Sequence, residues 1–120
     1  MKSFRGFFFD DIGVCINPDV IYQWSGDNGF YFSIAVAESD AGWTEGVEWR
    51  TPDKQGGHKC RFGVQGDQKR SSAIIFAAKH LKNVLSIEPH CEQAVAELDR
   101  IITEQSGGSA GYQYSIFDYL

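Results

Sequence analysis

The chain has 120 residues, 42% of them hydrophobic and 22% charged, which fits one compact globular domain that needs no disulfide or metal staple. Sixteen acidic against eleven basic residues give a net charge of −5. With no run of lysine or arginine to track phosphates, this argues against nucleic acid and anionic membranes as partners.

Three widely spaced cysteines, Cys15, Cys60 and Cys91, read as reduced thiols. The apolar run Phe7 to Phe9 is cut by Asp10 and Asp11 before a signal peptide could form, and no stretch approaches the roughly 20 apolar residues of a membrane span. A soluble, cytoplasmic protein of one α+β domain over residues 1–120 is expected.

In chain order, residues 6–17 are aromatic and β-branched, and Ile12, Val14 and Ile16 alternate with Gly13 and Cys15, which predicts a first strand closed by Asn17-Pro18. Val20, Tyr22 and Trp24 alternate next, the polar turn 25–29 follows, and Phe30, Phe32, Ile34 and Val36 alternate again, the clearest hairpin in the sequence. A turn at 39–42 leads to a strand with Val47 and Trp49 on one face. After the Pro-Asp and Gly-Gly loop 51–57, Cys60, Phe62 and Val64 alternate with Lys59, Arg61 and Gln65 and predict a fifth strand, with His58 and Cys60 on one face.

Beyond Gly66 the period changes from 2 to 3.6. Ile74, Ala77, Ala78, Leu81 and Leu85 share one face of a helix over 71–86, for which Ser71 or Ser72 is the expected cap. Pro89 is expected to open a second helix over 89–105, with Cys91, Ala94, Val95, Leu98, Ile101 and Ile102 as its apolar stripe. The predicted fold is therefore α+β: a mainly antiparallel sheet of five or six strands, with two helices of the C-terminal half on one face. The aromatic tail, with Tyr112, Tyr114, Ile116, Phe117 and Tyr119, is expected to be ordered and is the first candidate for a homodimer contact.

The stretch FFFDDIGV, residues 7–14, resembles the first motif of haloacid-dehalogenase-like phosphatases, where a nucleophilic aspartate ends a bulky strand. Aligning Gly13 puts Asp10 on the nucleophile and Ile12 on the acid/base aspartate, so the carboxylate that would protonate the leaving group is missing. The antiparallel meander also departs from the parallel architecture that family uses, and the family is set aside. Asp10 and Asp11 then read as strand-end carboxylates.

His58, Cys60, His80, His90 and Cys91 contain zinc-binding atoms but lack chelating spacing, and Cys60 alternates with apolar residues as a core thiol does. No catalytic residue, metal or cofactor is expected. What remains is a distribution: Lys59 and Arg61 form a basic rung beside Arg50, with Trp43 and Trp49 on the adjoining strand and Trp24 on the hairpin. These six are the candidate partner- or ligand-binding residues. The first fifty residues carry eight carboxylates against three basic groups. That profile suits a non-enzymatic protein-binding module of inhibitor or immunity type, which covers a basic partner. The alternative is a small-molecule-binding domain or minor enzyme, with an apolar pocket between sheet and helices lined by the tryptophans, Phe32 and Phe62.

Overall fold

Alternation along the middle of the chain folds as a four-stranded antiparallel meander in the computed structural model, which describes residues 1–107. Its strands are β3 (Asp19–Ser25), β4 (Tyr31–Ser39), β5 (Gly42–Arg50) and β6 (Gln55–His58), in that spatial order, preceded by a separate hairpin of β1 (Lys2–Phe4) and β2 (Phe7–Phe9). Helices α1 (Arg70–Leu85) and α2 (Glu92–Gln105) follow, so the molecule is α+β. The aromatic tail, with the packing and dimer contact expected of it, lies outside the described residues.

Strand pairing sorts the side chains. The register Trp24↔Phe32↔Trp49 and Tyr22↔Ile34↔Val47 puts these residues on the face that receives the helices. Phe32, Ile34 and Val36 pack there against Ile74, Leu81, Leu85, Leu98 and Ile101, all with no exposed surface. Each such side chain contributes about 1.5–3 kcal/mol of transfer free energy. α2 runs back along β3, its end tied down by Tyr22, whose hydroxyl meets Glu104 Oε1 at 2.5 Å and accepts from Gln105 Nε2 at 3.0 Å.

The opposite face carries a second, smaller core. Phe9, Cys15 and Cys60 close over Ala37 with exposures of 0, 4 and 2%, and Phe62 meets Phe9 edge-on at 5.0 Å. Residues 2–17 thus form a layer on the far side of the sheet from the helices.

The single sheet of five or six strands is corrected to two sheets, of two and four strands. The span 6–17, read as one strand, is entered through a left-handed turn at Arg5 and Gly6 (φ 46° and 90°), and the chain turns again within it after Asp10. There the Asp10 carboxylate accepts from the backbone N–H groups of Ile12 and Val14 at 3.1 and 2.9 Å, which gives that residue of the FFFDDIGV motif a structural task. The fifth strand is Gln55–His58 rather than 60–64, and the bridge Val14↔Arg61 is what the later segment forms instead. Ser71 and Ser72 lie inside α1, whose N-cap is Lys69 without a side-chain bond. Pro89 lies outside α2, because His90 adopts φ 64° and the helix starts only after Cys91. Among the described residues no helix is long and apolar enough to cross a membrane.

Candidate functional site

β4 is the strand both layers share, and its sequence Phe-Ser-Ile-Ala-Val-Ala alternates large with small side chains. The large ones fill the helix-side core. The small ones, Ser33, Ala35 and Ala37, line the other face, which the N-terminal layer covers only at the Ala37 end. Toward the other end Gln23 on β3, Tyr31 and Ser33 on β4, and Glu48 and Arg50 on β5 remain partly or fully exposed. Tyr31 and Arg50 are register partners, and the Arg50 guanidinium carbon stands 4.3 Å from the Tyr31 ring centroid, so cation and ring already satisfy one another.

Where the covering layer stops there is a groove of about 180 Å³. Ser33 and Ala35 supply its floor, because small residues on a sheet face leave depth between longer neighbours, while Gly46 lets the segment 58–60 pack closely on β5. Val20 and Tyr31 stand at its sides, with Glu48 and Lys59 as charged groups of opposite sign.

Cys15 and Cys60 close the groove's inner end. The Cys15 N–H donates to the Cys60 carbonyl at 2.9 Å, one step from the Val14↔Arg61 bridge, so the two cysteines stand opposite each other on paired segments. Burial pushes the Cys60 thiol up to about 12, with the charges of Cys15 and Glu45 adding to it, and burial raises Cys15 in the same sense. Both thiols are therefore protonated at neutral pH and are poor nucleophiles. The Cys60 thiol points to the Ala35 carbonyl at 3.7 Å and serves the core.

His58 and Cys60 do not share a face. β6 ends at His58, and the next residues turn so that Cys60 enters the second core while the His58 ring stays on the helix side. There it lies 3.1 Å from Glu45 Oε2 and edge-on to His80, ring centroids 5.6 Å apart. Among the described residues no three His, Cys, Asp or Glu side chains come together as metal ligands.

The six residues singled out from the sequence fall into two groups. Trp24 stacks on Phe32 at 5.3 Å, Trp43 meets Phe7 edge-on at 6.0 Å, and Trp49 lies against the backbone of Gly56; all three are half-buried against the helix-side core. Phe62, expected to share a pocket with them, belongs to the second core across the sheet. Arg50 stands on the open face. Lys59 lies between the groove and a neighbouring cleft, and Arg61 lines that cleft. Sequence reasoning missed the groove floor of Ser33 and Ala35, although the small residues alternating along β4 were its signal.

The chain matches no protein-family model, and no curated protein or solved structure proved similar to it.

Proposed function

We propose that the chain is a non-enzymatic protein-binding module that receives a partner on the open half of its sheet and seats one apolar side chain of that partner in the groove. The observation that carries this reading is the groove's size and setting. At about 180 Å³ it is smaller than the roughly 300–1,000 Å³ pockets that enclose small ligands, yet it opens onto a strand face on which an extended segment can lie.

Seating one aliphatic or aromatic side chain there would contribute about 1.5–3 kcal/mol, and Tyr31 offers the rigid aromatic surface common at such contacts. The net charge of −5 favours encounter with a basic partner, as for an inhibitor or immunity-type protein.

A photo-crosslinking amino acid in place of Tyr31, expressed in the native host, tests the reading. A defined crosslinked partner is expected, and it should vanish when Ser33→Arg fills the groove. A crosslinker at the outward-facing Phe76 of α1 serves as control. No partner above the Phe76 control, or one that Ser33→Arg leaves bound, would overturn it.

A further inference from the structure

Eleven lysines and arginines serve a chain with sixteen carboxylates, so each cation should find an acidic neighbour easily. Arg5, Lys54, Arg70, Lys82 and Arg100 do, in ion pairs of 2.5–3.1 Å with Glu38, Glu88, Asp19, Asp99 and Glu97. Lys2 and Arg50 lie over the rings of Phe62 and Tyr31 instead. Among the described residues four are left with neither carboxylate nor ring: Lys59, Arg61, Lys69 and Lys79. Two of these four, Lys59 and Arg61, line the same cleft, an open depression of about 340 Å³ beyond the end of β6.

The backbone is what holds these two cations together. The Val14↔Arg61 bridge pins the segment, and burial of Cys60 between them fixes the residue that separates them. The cleft's other polar groups are the Thr44 hydroxyl, the Gln65 amide, His58 and Glu45. Glu45 is the one acid in the lining, and its carboxylate is turned to His58 at 3.1 Å rather than to either free cation. Val64, 49% exposed, supplies an apolar wall.

We propose that this cleft is a binding site for a small organic oxyanion, a phosphate or carboxylate attached to a compact apolar group. Arg61 presents a planar fork that matches two oxygens at once, and Lys59 adds a second, mobile positive charge. The volume falls inside the range of small-ligand sites, unlike the groove on the sheet face. The negative charge of the whole molecule works against such a ligand at long range, so the local pair must supply the attraction. Binding in the millimolar to high-micromolar range and a clear salt dependence follow.

The test is a titration of the full chain, followed by amide NMR shifts, with inorganic phosphate, phenyl phosphate and benzoate, against sodium chloride at equal ionic strength. Saturable shifts at Thr44, Lys59, Arg61 and Gln65 are expected, with phenyl phosphate or benzoate binding more tightly than inorganic phosphate because Val64 gains a partner. Which of the two aromatic anions binds better identifies the oxyanion class. The double change Lys59→Gln, Arg61→Gln should weaken binding at least tenfold, while Lys69→Gln, Lys79→Gln, which removes the two free cations outside the cleft, should leave it unchanged. Thermal melts of both variants check that they fold. Shifts that fail to saturate, match those with chloride, or survive the loss of Lys59 and Arg61 would overturn the proposal, whatever becomes of the protein-binding reading.

Discussion

Raising the pH should destabilise the fold through Cys60, by an amount its burial fixes. The residue is 2% exposed in the second core, and burial first, then the charges of Cys15 and Glu45, take the thiol from 9.0 to about 12. Ionisation is thus disfavoured in the folded chain, while the unfolded chain loses the proton near its ordinary value. Below the unfolded value both states keep the proton and the stabilisation is complete. Between the unfolded value of 9.0 and the folded value of about 12 only the unfolded state ionises, so stability falls as pH rises. One unit above the unfolded value the loss is about 1.4 kcal/mol, and over the whole window it approaches about 4 kcal/mol. Either is a large fraction of the roughly 5–15 kcal/mol that holds a domain folded. Cys15 and Tyr22 are raised in the same sense, so wild type alone does not isolate Cys60. Urea denaturation under reducing conditions, near neutrality and at about pH 10, for wild type and Cys60→Ala does. Wild type should lose about 1.4 kcal/mol more than the variant between the two conditions. Equal losses would mean that water reaches the thiol and that Phe9, Cys15, Ala37 and Cys60 do not close a core.

Leu81→Ala, at a fully buried position of α1, should cost about 2–5 kcal/mol in the same denaturation assay, whereas Phe76→Ala on the same helix, 57% exposed, should stay within about 0.5 kcal/mol. Gly57 has φ 152° and a β-carbon there would run into the Val47 carbonyl, so Gly57→Ala should cost about 1–3 kcal/mol or more and release β6, seen as lost amide-exchange protection within residues 55–58. Tyr22→Phe should cost about 1 kcal/mol by freeing Glu104 and Gln105 at the end of α2. Maleimide added to the native protein should label the half-buried Cys91 first and leave Cys15 and Cys60 unmodified until urea is added, as read by mass spectrometry.

The elements that sequence reasoning located well are those in which side chains carry the signal. β3, β4 and β5 alternate because one face meets the helices, and the stripe from Ala94 to Ile102 marks α2 for the same reason. The misplaced elements are those in which the backbone decides. β6 contains Gly56 and Gly57, with no side chains to alternate; what holds it is pairing to β5 and the Trp49 ring lying against Gly56. Residues 6–17 keep an alternating pattern straight through a reversal, because Gly13 can take φ 89° while Val14 and Ile16 resume the period beyond it. The groove was illegible for a related reason: its floor consists of what Ser33 and Ala35 lack. The pairing of Lys59 and Arg61 was visible in their spacing, but that no carboxylate among the described residues pairs with them is a tertiary fact.

The open half of the sheet also bears on how the binding surface proposed above can stay bare. A strand face left uncovered is a hazard when it is flat and apolar, since it recruits its own copies. Here Gln23, Glu48 and Arg50 are exposed and Tyr31 and Ser33 half-buried, with Tyr31 occupied by Arg50, and Val20, 52% exposed, is the large apolar residue left in water beside the groove. The rest of the apolar capacity is withdrawn into a groove with room for a single side chain, walled by Val20 and closed by two protonated thiols. Nonspecific contact with such a face gains little, because only a chain that presents a side chain at the right register reaches the buried apolar surface. A partner that does so desolvates a Tyr–Arg pair already satisfied and a floor of small groups, so little uncompensated charge is buried. Selectivity of this surface would then rest on the depth that Ser33 and Ala35 leave open, which is why enlarging Ser33 is the change to which it should be most sensitive.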